Sequence, residues 1–171
     1  MKFMPAAALC ALLLSPALPV RAEDSTITIA PEDRAMAAAV AAARESLPQM
    51  LAAQVPETGE SSPSFSLKVS FPVSGHAAEA AQVTSEAIWV GGIARDGGAF
   101  AARLDNDPEF MPGLSLGSPV RFREEQIIDW SLTGDDDRIY GHYTTRALLP
   151  HMDPAEAAWI SGLLAEEPMP R

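Results

Sequence analysis

The strongest constraint on how this chain folds is the segment SEAIWVGGIARDGGAFAARLDNDP, residues 85–108. Its central Asp96-Gly97 pair is favoured in two-residue β-hairpin turns, because these turns need positive φ at both positions. A turn there predicts an antiparallel register with three facing pairs: Ile93 with Phe100, Gly91 with Ala102, and Trp89 with Leu104. All three pairs lie on one face and are apolar or small, so we expect the hairpin to bury that face.

Further strand patterns lie on both sides of this hairpin. The segment FSLKVSF, residues 65–71, alternates strictly between apolar and polar side chains, which indicates a strand with one buried face. Residues 120–123 alternate in the same way. Residues 126–132 and 138–144 predict a second hairpin around the turn sequence TGDDD. The small residues between 73 and 82 give no assignment.

Residues 31–54 have the periodicity of an amphipathic helix. Its predicted buried face consists of Met36, Val40, Ala43, Leu47 and Leu51. The Pro-Glu-Asp sequence at 31–33 suits a first helical turn. Pro48 predicts a kink or a restart of the helix near Ser46, where Ser46 and Gln49 would form a capping pair.

The segment DPAEAAWISGLLAEE, residues 153–167, predicts a second helix near the C-terminus. Asp153 is placed to cap it, Pro154 suits the first helical position, and Glu156 adds a first-turn carboxylate. One face of this helix carries Ala157, Ile160 and Leu164, with Trp159 and Leu163 at its edge.

Six short strands between two helical segments, joined by hairpins, predict an α+β fold. We expect an antiparallel sheet of about six strands with an N-terminal and a C-terminal helix. The sheet could roll into a small SH3-like, partly open barrel.

The N-terminus has the three-part layout of a secretory signal peptide. Lys2 precedes an apolar stretch, and Val20 and Ala22 place small residues just before a cleavage site after Ala22. Cleavage there would remove the only Cys and leave ten basic against 23 acidic residues, a net charge of −13. We expect a periplasmic or secreted protein without a membrane span after cleavage. Its predicted parts are a signal peptide (1–22), a flexible leader (23–30), one domain (31–165) and a tail (166–171).

Five segments occur in order along residues 33–149: DRAMAAAVAAARESLPQML, FSLKVSF, EAIWVGGIARDGGAFAARLDNDPE, LSLGSPVRFREEQIIDW and GHYTTRALL. Their most distinctive parts are the ARESLP stretch, Trp89, the Leu116-Gly117 turn and the IIDW sequence at 127–130. This set resembles the bacterial domain of unknown function 2314 family, which includes the YegJ-like proteins. The resemblance implies a small domain of uncharacterised role with no established catalytic residues.

The pentapeptide GLSLG at 113–117 matches the G-x-S-x-G nucleophile elbow of α/β-hydrolases. That chemistry needs the Ser on a sharp turn between a parallel strand and a helix, with an Asp and a His downstream. Prolines flank the match and the next segment has a strand pattern, so we interpret it as a loop. A serine hydrolase built on Ser115 with His142 or His151 remains a third functional hypothesis.

We expect neither a metal nor a cofactor. His76, His142 and His151 lack the i, i+4 spacing of a helical zinc site. The acidic runs at 105–107 and 135–137 lack the alternating acids and the final Glu of an EF-type calcium loop. Asp and Asn bond their own backbone in turns, so both runs are interpreted as turns.

The segment EEQIIDWSLTGDDDRIYGHYTTR, residues 124–146, holds the candidate binding residues Asp129, Trp130, Tyr143 and Arg146. In one interpretation Trp130 shares a core face with Ile128 and Leu132, and Asp129 accepts backbone or hydroxyl hydrogen bonds. In the other, the candidates form a shallow aromatic site for a peptide or an envelope glycan.

Two registers are open for this hairpin. A five-residue TGDDD loop would place Trp130 opposite Tyr140 and Asp129 opposite Gly141. A four-residue loop would place Gly141 opposite Trp130 instead. In the first register Arg146 lies on the Trp130 side, which favours cation–π stacking between them.

The leading functional hypothesis is a non-enzymatic binding module that contacts an unknown protein or envelope component. No set of nucleophile, base and metal ligands converges in the sequence, which favours this hypothesis over an enzyme. The alternative is an acidic inhibitor or immunity-type protein that masks a basic partner. A contiguous acidic patch including Asp135, Asp136 and Asp137 would favour it. The negative charge argues against nucleic acid as a partner.

Overall fold

The computed structural model describes residues 34–170. Along this part of the chain the elements follow in the order α1 (Arg34–Gln54), β1 (Phe65–Pro72), α2 (His76–Ala81), β2 (Ser85–Asp96), β3 (Ala99–Leu104), β4 (Pro119–Phe122), β5 (Ile127–Thr133), β6 (Ile139–Gly141), α3 (Tyr143–Leu148) and α4 (Pro154–Leu163). Short 3₁₀ turns at Glu124–Gln126 and Leu149–His151 precede β5 and α4. The predicted signal peptide, leader and first helical turn lie outside the described residues.

The strands form one antiparallel sheet in the order β4-β3-β2-β1-β5-β6. The sheet is open, with β4 and β6 at its edges, and does not close into a barrel. The predicted α+β class, with about six antiparallel strands and a helix at each end, is confirmed. Helices α2 and α3 lie in segments for which the sequence predicted no helix.

Helix α1 packs against one face of the sheet, termed the inner face. Burial alternates along β1, so its apolar residues lie on this face and its polar residues on the opposite, outer face. The core joins Ala43, Leu47, Met50 and Leu51 of α1 to strand residues that include Phe65, Leu67, Val69, Val90, Leu104, Phe122 and Trp130. Met36 and Val40 of the predicted helix face are only partly buried.

The first hairpin forms, but its turn is displaced by one residue. Gly97 and Gly98 are the two turn residues, with φ of 54° and 83°, and Asp96 pairs with Ala99. Two glycines adopt positive φ without the steric strain that Asp would bear in the first turn position.

A β-bulge between Gly91 and Ala94 shifts the register of this hairpin again. Beyond the bulge the facing pairs are Gly91 with Arg103 and Val90 with Leu104. All three predicted pairs, Ile93 with Phe100, Gly91 with Ala102 and Trp89 with Leu104, are therefore wrong. Trp89 lies on the outer face instead, directly opposite Lys68 of β1.

Strand β5 also has a bulge where it pairs with β1. The bulge skips Ile128, so Ile127 and Trp130 both enter the core and are 1% and 0% exposed. Asp129, between them, lies on the outer side opposite Lys68. The prediction that Ile128 shares the core face with Trp130 is wrong, because that face continues at Ile127.

The second hairpin pairs Ser131 with Gly141 and Thr133 with Ile139, so its loop consists of residues 134–138. The loop has five residues, but both predicted registers are wrong because it begins one residue later than TGDDD.

Strand β6 ends at Gly141, so the predicted strand to residue 144 is also wrong. Gly141 and His142 have φ of 74° and 51°, which turns the chain out of the sheet before α3 begins at Tyr143. Only glycine fits at position 141, because a Cβ there would collide with the carbonyl oxygen and indole of Trp130.

Helix α1 runs without a break through Pro48. The predicted restart at Ser46 is wrong, since the Ser46 hydroxyl lies within the helix and bonds to the carbonyl oxygens of Ala42 and Ala43 at 3.2 and 3.0 Å. A Ser hydroxyl in mid-helix commonly bonds backward in this way.

The predicted cap of α4 is confirmed. The Asp153 carboxylate accepts hydrogen bonds from the N–H groups of Ala155 and Glu156 at 2.9 and 3.3 Å. Pro154 occupies the first helical position, where it has no intrahelical bond to lose.

Candidate functional site

The carboxylate of Asp129 is the centre of a buried hydrogen-bond network. One oxygen accepts from the N–H groups of Trp130 and Tyr143 at 2.8 and 3.1 Å. The other accepts from the N–H and the hydroxyl of Thr144, both at 2.7 Å. The carboxylate thereby caps the first turn of α3, whose N–H groups have no partner within the helix.

Burial raises the pKa of the Asp129 carboxyl above its ordinary value. The hydrogen bonds from Thr144 and Trp130 and the charge of Lys68 act against this rise, because they stabilise the carboxylate. Asp129 is 1% exposed. We therefore interpret it as a residue that joins β5 to α3.

Trp130 is 0% exposed and belongs to the core. Its indole N–H donates to the Ser46 hydroxyl of α1 at 2.9 Å. The ring of Tyr143 packs edge-on against it, with the ring centroids 5.9 Å apart. Trp130 therefore fixes α1 and α3 to the sheet, and presents no surface to a ligand in this fold.

Arg146 lies on α3 and bonds to the main chain. Its Nε donates to the carbonyl of Gly141 at 2.8 Å and its Nη2 to the carbonyl of Ala165 at 2.9 Å. These bonds replace the predicted stacking on Trp130. The fold thus brings all four candidate residues together, but mainly as an internal network rather than as an open aromatic surface.

A different aromatic group lies on the outer face of the sheet. The half-buried indole of Trp89 stacks on the imidazole of His142, with centroids 4.6 Å apart and an interplanar angle of 28°. The Lys68 ammonium lies 5.4 Å from the centroid of the same indole, in cation–π geometry. These three residues and the adjacent hydroxyl residues Ser66 and Ser131 are termed the outer-face cluster.

The imidazole of His142 is held over this face by a strained backbone. With φ 51° and ψ 37°, His142 is left-handed, which costs a non-glycine residue about 1 kcal/mol. Its Nε2 bonds the Ser131 hydroxyl at 3.0 Å and its Nδ1 the Thr145 hydroxyl at 3.1 Å. Strained residues of this kind concentrate at functional sites.

Burial, and then the positive charges of Lys68 and Arg146, lower the pKa of His142 from 6.5 to about 4. Both causes disfavour the charged imidazolium. The ring is therefore neutral at neutral pH, so one ring nitrogen donates a hydrogen bond and the other accepts one.

A Ser hydroxyl bonded to a His ring nitrogen is the first half of a nucleophile–base pair. Here the second ring nitrogen meets the Thr145 hydroxyl, not a carboxylate. The low pKa also makes His142 a weak base at neutral pH. The Ser131–His142 pair therefore suits ligand binding by stacking and hydrogen bonding better than nucleophilic catalysis.

A carboxylate adjoins the outer-face cluster. Oδ2 of Asp105 accepts a hydrogen bond from the Ser66 hydroxyl at 3.0 Å. The same carboxylate lies 2.9 Å from the position that a Cβ on Gly91 would occupy, so glycine leaves the space that Asp105 fills. Aromatic, cationic, hydroxyl and carboxylate groups thus share one side of the sheet.

The GLSLG sequence forms a turn before β4. The N–H of Ser115 donates to the Ser118 hydroxyl at 3.0 Å, and its carbonyl accepts from the Ser118 N–H at 2.9 Å. A strand follows, whereas a nucleophile elbow leads into a helix.

Two other features, a metal site and a membrane-spanning helix, were sought among the described residues. Within residues 34–170, no group of three or more His, Cys, Asp and Glu side chains is placed to hold a metal ion. No helix in the same range combines the length and apolar composition needed to cross a membrane.

Comparison with known proteins identifies the family. A protein of Escherichia coli K12, described as uncharacterized protein YegJ, is 32% identical over 73 residues, which are 43% of this chain and 47% of that protein. The chain thus spans about half the length of this curated relative. No solved structure matches the chain. The model of the family described as "Uncharacterized protein conserved in bacteria" matches residues 33–163, and the chain therefore belongs to the domain of unknown function 2314 family, as its sequence motifs predicted.

Proposed function

We propose that this domain is a non-enzymatic binding module of the bacterial periplasm or cell envelope, and that the outer-face cluster is its binding surface. The observation that carries this proposal is the stack of Trp89 on His142 with Lys68 beside it. This stack lies on the polar outer face, apart from the hydrophobic core that contains Trp130.

The chemistry of the cluster supports binding. An indole edge offers apolar contact, and the hydroxyl groups around it both donate and accept hydrogen bonds. The imidazole is neutral, and the left-handed conformation of His142 fixes its position before any ligand arrives. Preorganised groups bind with less loss of conformational entropy than mobile groups.

The proposed compartment rests on the N-terminal sequence. Residues 1–22 have the charge, apolar stretch and small residues of a signal peptide. An exported module of this kind would contact a protein or a polymer of the envelope.

The distribution of the exposed carboxylates favours this proposal over the acidic inhibitor. Exposed carboxylates occur on several elements, from Glu45 on α1 to Glu166 and Glu167 after α4, and not only around residues 135–137. Within that loop, Asp136 accepts from the Arg138 N–H and the Tyr140 hydroxyl at 3.1 and 2.9 Å.

The test is affinity capture from the protein's own cell envelope. We expect the wild-type protein to retain at least one component that a Trp89→Ala variant loses. A Leu116→Ala variant is the matched control, because it removes a large apolar side chain that is 62% exposed in the turn before β4 and lies outside the outer-face cluster. The proposal fails if capture by Trp89→Ala and by the wild type is identical.

A further inference from the structure

Helix α4 has too little packing for a helix of its length. None of its residues is fully buried, although the next two residues, Leu164 and Ala165, are. Its C-terminal end is held by Arg138, which donates to the Gly162 carbonyl, and by Arg146, which donates to the Ala165 carbonyl. Isolated helices shorter than about 12 residues are marginal in water, so a ten-residue helix depends on packing.

The exposed side of α4 is apolar. Trp159 is 67% exposed and Leu163, one turn later, is 37% exposed. Beside them, a Cβ added to Gly162 would meet no atom within 4 Å. Glycine destabilises a helix, and nothing in the domain requires it here, whereas a closely approaching partner would.

We infer that this side of α4 docks a basic, apolar segment of a partner protein, at a surface separate from the outer-face cluster. Charge complementarity selects this occupant. Four exposed carboxylates, those of Asp153, Glu156, Glu166 and Glu167, lie on α4 or beside its ends. They outnumber the two guanidinium groups there, Arg138 and Arg146, which already bond to the carbonyls of Gly162 and Ala165. Lys and Arg around apolar side chains would complement both parts of the surface.

The same observations argue against two other occupants. A second copy of the chain would bring four carboxylates against four in a symmetric contact. A helix of ten residues, about 15 Å long, is also short for the roughly 1,200 Å² that a stable interface buries. An anionic lipid surface would repel the carboxylates.

Two synthetic helical peptides with the same Leu face, one with Lys and one with Glu on the polar face, test this inference by calorimetric titration. We expect the wild-type protein to bind the Leu/Lys peptide and not the Leu/Glu peptide. Trp159→Ala should weaken Leu/Lys binding at least tenfold, because exposed Trp residues are common binding hot spots. Gly162→Gln should weaken it as well, by blocking close approach, while leaving the domain folded.

Leu116→Ala is the matched control and should bind the Leu/Lys peptide as the wild type does, because it removes an exposed apolar side chain in the turn before β4 and not on α4. Equal affinity of wild type and Trp159→Ala would overturn the inference, as would preference for the Leu/Glu peptide. Self-association that Trp159→Ala abolishes would assign this surface to a second copy instead. Thermal melting of each variant confirms that it is folded, which we expect because no residue within α4 is fully buried.

Discussion

Two tryptophans flank consecutive residues of β1 and differ in almost every respect. Trp130 pairs with Leu67 and is fully buried on the inner face, where its N–H has a partner on α1. Trp89 pairs with Lys68 and lies half-buried among polar groups on the outer face. The comparison separates a face whose packing holds the domain together from a face on which aromatic and polar groups are fixed in place but stay partly exposed.

The largest effect should come from Trp130→Ala. Removing a buried indole leaves a cavity at the junction of α1, α3 and the sheet, and large-to-small changes of this kind cost about 4 kcal/mol. We expect the free energy of unfolding in urea to fall by that amount. Ser46→Ala, the control, deletes the acceptor of the indole N–H and the hydroxyl's own bonds within α1, and should cost about 1 kcal/mol. Equal losses for the two variants would mean that the hydrogen bond, and not packing, is the main contribution of Trp130.

The next largest effect should come from Asp129→Ala. It leaves the N–H groups of Tyr143 and Thr144 without an acceptor, and orphaned buried donors together cost about 3 kcal/mol. Urea unfolding measures the loss, and amide hydrogen exchange should show that α3 opens first. Asp129→Asn keeps the shape and one acceptor oxygen, so it should lose less. If Asp129→Ala unfolds like the wild type, the carboxylate does not hold α3.

The strands and the two terminal helices could be predicted because their signals are local. Alternation in β1, periodicity in α1 and the cap at Asp153 each depend on neighbours in sequence. The register of the first hairpin could not be predicted, because both Asp96-Gly97 and Gly97-Gly98 can form a two-residue turn. The bulges at Gly92 and Ile128 depend on how neighbouring strands fit together, which no local pattern records.

Part of the candidate site could also be predicted. The interpretation of Trp130 as core and of Asp129 as an acceptor of backbone and hydroxyl bonds agrees with the structure. Helix α3 was missed because its Tyr-Thr-Thr start favours strands locally, while the cap that stabilises it comes from β5. The stack of Trp89 on His142 was missed because it joins distant segments through a left-handed residue. The one local indication of this turn was the adjacent Gly141, which also adopts positive φ.

A third prediction concerns how His142 makes the free energy of unfolding of the protein depend on pH. The pKa of His142 is lowered from 6.5 to about 4 in the folded protein. Between these pH values the unfolded chain binds a proton that the folded protein does not, so stability falls as pH decreases. From about pH 7.5 to about pH 5, His142 should account for a loss of about 2 kcal/mol.

His142→Asn isolates this contribution, because Asn tolerates the left-handed conformation but does not titrate. Urea unfolding of both proteins at the two pH values gives the measurement. The loss on acidification should be about 2 kcal/mol smaller in the variant. An unchanged pH dependence would show that His142 titrates normally and is not enclosed by the cluster.

The smallest effect should come from Trp89→Ala, which we expect to cost about 1 kcal/mol, since its indole is only half-buried and packs on the His142 imidazole beside the Lys68 ammonium. The variant should instead change the neighbouring imidazole. Without the indole, His142 is better hydrated and its pKa should rise from about 4 toward its ordinary value. Proton NMR titration can follow this shift, with His142→Asn identifying the resonance. A loss of stability as large as that of Trp130→Ala would make the outer face a second core and remove the physical basis for assigning binding to it.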